Sequence, residues 1–156
     1  MIKKFLFSTL IVLASFAATF AQSKTKEAAK VEDPDNLASQ YFSQVMGVAV
    51  DATSNLKLYK FNYEWIGTPY RFGGNTKNGI DCSAFAKTIY QKVFNTTILR
   101  NSRDIFSMVD PLAKDELKEG DLVFFKIKSR SISHVGVYLG DNRFAHSATG
   151  GVKISN

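Results

Sequence analysis

The chain has 156 residues, a formal net charge of +6 and a single cysteine. A content of 45% hydrophobic and 22% charged residues excludes a disordered polymer, the length excludes two ordinary domains, and one cysteine excludes an internal disulfide. The 13 Phe, 6 Tyr and 1 Trp suffice to fill a small core without covalent cross-links.

Lys3 and Lys4 precede a continuous run of apolar and small residues from Phe5 to Phe20, and Thr19 and Ala21 are small residues where a signal peptidase reads. The run is shorter than the roughly 20 residues a membrane span needs. The expectation is a leader over residues 1–21, cleaved before Gln22, with no stable membrane insertion afterwards. No cysteine stands at the cut, so a lipid-modified terminal cysteine is excluded. Loss of Lys3 and Lys4 lowers the formal charge from +6 to about +4, which suits either a polyanionic surface or ordinary solubility. Export carries the lone cysteine into an oxidising compartment. There it is buried and inert, paired between chains, or reactive.

Residues 22–36 are polar and read as a linker, leaving 37–156 as one domain. Asp35 or Asn36 is expected to cap a first helix carrying Leu37, Tyr41 and Val45 beside Phe42 and Met46. After the break at 51–55, Leu56, Tyr59, Tyr63 and Ile66 mark one face of a second helix, which Gly67 and Pro69 end. Residues 71–79 form a glycine-rich loop that lacks the Gly-Lys-Ser/Thr ending of a phosphate cradle. From Cys82 to about Phe94 the pattern is helical, with Phe85, Ile89 and Val93 on one face. Asn101 to Val109 is a loop or short helix, and residues 118–121 make a turn. Leu122–Phe125 is apolar throughout and predicts a strand covered on both faces. Ser133–Leu139 and Arg143–Ala148 form a hairpin around Gly140-Asp141-Asn142. Helices followed by an antiparallel sheet give an α+β fold, with N-terminal helices packed on a small sheet.

Asp81 is a strong N-cap residue, so Cys82 falls on the first helical turn. There the free amides and the helix dipole favour a thiolate, and the N–H groups of Cys82 and Ser83 are placed to receive an oxyanion. A small buried cysteine is the alternative. A nucleophile needs a base, and the only two histidines, His134 and His146, lie in the hairpin pair. A two-residue loop would put them on opposite faces of the ribbon. A three-residue loop, or a bulge of equal effect, would put His146 opposite Gly136 and diagonal to His134, at roughly 7–8 Å between alpha carbons. The odd register is expected, with Gly136 leaving room between the rings. His134 then takes the thiol proton, while His146 orients His134 and favours its protonated form. One cysteine and two histidines could also hold zinc, but a helix-start cysteine suits a nucleophile better, and no metal or cofactor is expected.

The segments GTPYRFGG (67–74), GIDCSAF (79–85), GDLVFF (120–125) and SHVGVYLGDNRFAHSAT (133–149), in this order, resemble the NlpC/p60 cell-wall cysteine peptidases. The resemblance runs from about Trp65 onward. It implies a papain-like fold and a Cys-His-His site that hydrolyses peptidoglycan stem peptides through a thioester, commonly between γ-D-glutamate and a diamino acid. Cys82 matches the nucleophile, His134 the base and His146 the third polar residue. Tyr70 matches a tyrosine near the nucleophile; core packing is its other reading. Asp81 and Ser83 match groove residues, Asp81 either meeting a free amine of the stem or capping the helix alone. Arg100 and Ser102 match a stretch ending Arg-x-Ser, with surface solvation as their alternative. Ala84 replaces a glycine, Ile105 a glutamine, and the strand begun at Val152 is expected to break off at Asn156. The expected partners are stem peptides and no nucleic acid, for a monomer exported to the periplasm, the wall or beyond. An inactive wall-peptide-binding module and a papain-like amidase or acyltransferase are the competing readings.

Overall fold

The computed structural model describes residues 33–156. The expected leader, and the expected linker as far as residue 32, lie outside the described residues. The first helix, α1, spans Pro34–Met46. It starts before the expected cap: Asp33 accepts the N–H of Asp35 at 3.1 Å, and Pro34 sits in the first turn, where its fixed φ and missing N–H cost nothing. The folded part therefore begins ahead of residue 37. Of the apolar residues on α1, Phe42 and Met46 are buried, whereas Leu37, Tyr41 and Val45 stay exposed.

Helix α2 spans Leu56–Trp65 and is capped by the Asn55 side chain, which accepts the Leu58 N–H. Its buried face is Leu58, Tyr59 and Asn62 rather than the expected Leu56, Tyr59, Tyr63 and Ile66 face. Tyr63 and Ile66 are exposed. The helix is turned so that Tyr59 reaches the sheet, its hydroxyl 2.6 Å from the Leu139 carbonyl oxygen. The glycine-rich loop holds two short strands that the sequence did not announce, β1 (Asn75–Thr76) and β2 (Gly79–Ile80), paired antiparallel.

Helix α3 spans Cys82–Val93 as expected, with Phe85, Ala86 and Ile89 wholly buried. Helix α4 is short, Ser102–Ser107. Four strands follow: β3 (Leu122–Phe125), β4 (His134–Gly140), β5 (Arg143–Ala148) and β6 (Gly151–Ser155). They form one antiparallel sheet in chain order. Strand β3 lies at its edge, so all four of its residues are half-buried instead of covered on both faces. Val135, Val137 and Leu139 of β4 are fully buried in the core that α3 shares. Strand β6 pairs along its whole length with β5.

The β4–β5 hairpin decides where the histidines point. Its loop has two residues, Asp141 and Asn142, both at positive φ (49° and 57°), joining the paired Gly140 and Arg143. Beyond it, Tyr138 pairs with Phe144 and Val137 with Ala145, leaving Leu139 as the extra residue of a bulge. The bulge has the effect of an odd loop and brings His134 and His146 to one face. Gly136 serves a different neighbour than expected. A Cβ there would meet the Phe144 ring at 2.6 Å and the Ala145 carbonyl oxygen at 3.0 Å, so the glycine makes room for Phe144. The Phe144 ring in turn packs on His146, 4.9 Å between centroids.

Candidate active site

Asp81 begins the site. Its Oδ1 accepts the Ala84 N–H at 2.8 Å, the capping bond expected of it. The same oxygen accepts from the Ser83 hydroxyl and Arg100 Nη1, and Oδ2 accepts from Arg100 Nη2 at 2.7 Å and the Gly73 N–H at 3.0 Å. The carboxylate is thus fully occupied by protein donors, which favours the capping role over reception of a substrate amine. Burial alone would raise the Asp81 carboxyl, but the Arg100 and Ala84 hydrogen bonds outweigh it and hold the group below its ordinary range. The bidentate Arg100 ties the start of α3 to the segment before α4.

Cys82 follows on the first turn of α3, 9% exposed. Burial pushes its thiol up, more than the N–H groups of Val135, Ser83 and Cys82 itself pull it down, and the Asp81 charge adds to the rise. The expected thiolate is therefore not favoured by these surroundings: burial outweighs the backbone N–H groups that would lower the thiol. The start of β4 packs beside the start of α3, and the Val135 N–H is among the groups that lower the thiol. Among the described residues, no hydrogen bond joins the thiol to His134; contacts of this kind commonly close only with substrate bound.

His134 and His146 meet as the register requires, Nε2 of the first 2.6 Å from Nδ1 of the second. Both are 7% exposed. Burial, then the Lys153 charge, lowers His134; burial, His134 and Lys153 lower His146 to about 4. Both shifts favour the uncharged form of each ring at neutral pH. Nε2 of His146 lies 2.9 Å from Ser155 Oγ on β6, a contact the sequence reading missed because no local pattern links the two residues.

A cleft of about 440 Å³ is lined by Tyr70, Asp81, Cys82, Ser83, Arg100 and Ser102, so six of the eight expected site residues share it. Phe72 and Ser133 also line it and were not anticipated. Phe72 is 89% exposed, and nothing in its sequence neighbourhood distinguished it from a core aromatic. Tyr70 is 40% exposed, which sets aside core packing, and burial together with the nearby Cys82 raises its hydroxyl so that it stays protonated. Among the described residues, no group of three His, Cys, Asp or Glu side chains is arranged to hold a metal.

The profile of the NlpC/P60 family matches residues 67–156, well over half of the chain. The chain belongs to the NlpC/P60 family. Its match to a probable endopeptidase NlpC homolog of Haemophilus influenzae is 50% identical over 94 residues, covering 60% of this chain and 49% of that protein. The match to the murein DD-endopeptidase MepS/murein LD-carboxypeptidase of Escherichia coli K12 is 39% identical over 94 residues, covering 60% of this chain and 50% of the other. The chain thus spans about half the length of these curated relatives. Among solved structures, the NlpC/p60 domain of the peptidoglycan hydrolase SagA superposes with a TM-score of 0.58 at 27% identity, over 67% of this chain and 90% of that one. An NlpC/P60 family protein of Bacillus cereus ATCC 10987 gives 0.58 at 31% identity, over 69% of this chain and 36% of the other. These NlpC/P60 likenesses agree with the α+β, papain-like architecture of helices on an antiparallel sheet.

Proposed function

We propose that this chain is an exported, monomeric cysteine endopeptidase that cleaves peptidoglycan stem peptides. The observation carrying the reading is a cysteine at a capped helix start that lines a cleft, together with a hydrogen-bonded histidine pair contributed by β4 and β5 of the sheet that helix packs on. The murein in the name of the MepS relative supports the substrate class.

The chemistry starts from a neutral thiol and a neutral imidazole. As the sulfur attacks the peptide carbonyl, its proton passes to the free nitrogen of His134, and a carbon–sulfur bond forms. The N–H groups at the head of α3 and the Tyr70 hydroxyl stabilise the oxyanion. His134 returns the proton to the leaving amine, giving a thioester, and then activates water to release the acid. Asp81 and Arg100 hold the walls of the cleft, Ser83 and Ser102 offer hydroxyls to the substrate, and the bond between γ-D-glutamate and the diamino acid is the preferred target. The name of the MepS relative favours a second assignment of the bond, a DD linkage.

Defined free and cross-linked wall peptides incubated with the protein and with Cys82→Ala, followed by mass spectrometry, test the reading. Cleavage by the first and none by the second is expected, and the product masses assign the bond. Binding without cleavage by both proteins would make the domain a recognition module. Transfer of the acyl group to an added amine would make it a transferase.

A further inference from the structure

The two histidines form part of a longer chain. His134 Nε2 meets His146 Nδ1 at 2.6 Å, and His146 Nε2 meets Ser155 Oγ at 2.9 Å. Strand β6 delivers Ser155 by pairing fully with β5, where Lys153 stands opposite His146. Lys153 and burial keep both rings neutral, and a neutral imidazole carries one N–H. The two hydrogen bonds must therefore run in the same direction. If Ser155 donated, His146 would carry its proton on Nδ1, His134 would have to accept at Nε2, and the His134 proton would sit on Nδ1. That ring could then accept nothing more from a thiol. If Ser155 accepts, His146 carries its proton on Nε2 and accepts at Nδ1 from His134 Nε2–H. Nδ1 of His134, which has no protein partner among the described residues, is then bare and basic. The Nε2–H form is also the intrinsically preferred tautomer of a neutral imidazole.

We infer that Ser155 is a positioning residue which, by accepting from His146 Nε2, sets the tautomers of both histidines and leaves His134 Nδ1 free as the base. The inference rests on the endopeptidase reading for its catalytic meaning, but the tautomers are observable without turnover. Long-range ¹⁵N–¹H NMR of the histidine-labelled protein near pH 7.5 reads them directly, alongside kcat and KM on a defined wall peptide.

In the native protein both rings are expected as Nε2–H. Ser155→Ala mixes the His146 tautomers and lowers kcat about 2–10-fold, the effect of one lost hydrogen bond, with KM unchanged. Ser155→Thr restores both the spectrum and the rate. A native His146 protonated on Nδ1 overturns the inference. So does a Ser155→Ala protein with native tautomers, whether or not its melting temperature falls, since a purely structural serine would change only the latter. If the native protein cleaves no wall peptide, the endopeptidase reading fails while the spectra still decide the role of Ser155.

Discussion

At the residue scale the site combines two histidines whose uncharged forms are favoured with the ionised Asp81–Arg100 pair. A folded His146 that titrates near 4, against about 6.5 in the unfolded chain, stays uncharged while the unfolded form takes up a proton. Its contribution to stability is complete above pH 6.5 and is lost as the pH falls toward 4. Solvent at the mouth of the site reduces the full shift to on the order of 1–2 kcal/mol. His134, lowered in the same sense by burial and Lys153, adds to the loss. The base form of His134 also persists below pH 6.5, so the acid limb of kcat/KM is expected below that value. Melting temperatures and kcat/KM measured from pH 4 to 8 check both statements. An acid limb at or above pH 6.5 would contradict the neutral pair. The identity of these residues was legible in the sequence because only one cysteine and two histidines were available to place. Their charge states were not. A helix-dipole argument sees only the local turn, whereas desolvation of Cys82 depends on everything packed around it.

At the element scale the decisive object is the bulge at Leu139. Simple pairing arithmetic showed that the histidines meet only in an odd register, and the structure reaches it with a two-residue loop and one extra residue. What holds that extra residue lies far away in sequence. The Tyr59 hydroxyl is 2.6 Å from both the Leu139 carbonyl oxygen and Glu119 Oε1, and Glu119 Oε2 accepts the Asn55 N–H at the start of α2. Burial and the Glu119 hydrogen bond raise the Tyr59 hydroxyl well above its usual range, so it remains a donor. Tyr59→Phe is expected to cost about 1–3 kcal/mol by orphaning a buried acceptor, and to lower kcat by loosening the bulge that aligns the histidines. Denaturant unfolding together with steady-state kinetics tests this. A stability loss with unchanged kcat would show that the bulge holds without Tyr59. The helix faces were less legible. On α1 the sets Leu37, Tyr41, Val45 and Phe42, Met46 are both apolar, and only the packing against α2 and the sheet chooses between them.

At the scale of the whole described molecule, one hydrophobic cluster joins α1, α2, α3 and the central strands, with Phe85 wholly buried at its middle against Phe61 and Trp65. Phe85→Ala is expected to destabilise by about 3–5 kcal/mol. Far- and near-ultraviolet circular dichroism should show it melting in one transition at a lower temperature. Separate transitions would mean that the helices and the sheet do not share a core. The α+β class followed from the order of elements, and the family from four spaced segments. The hidden part was the set of cross-chain bonds (Arg100 to Asp81, Tyr59 to Leu139, His146 to Ser155) that convert those segments into a site.

The burial of Cys82 has a chemical corollary. A thiol raised in this way reacts slowly with peroxide, alkylating agents and foreign disulfides, because each of these needs the anion. With no second cysteine in the chain to resolve an oxidised sulfur, a thiol that keeps its proton is the form least exposed to irreversible oxidation.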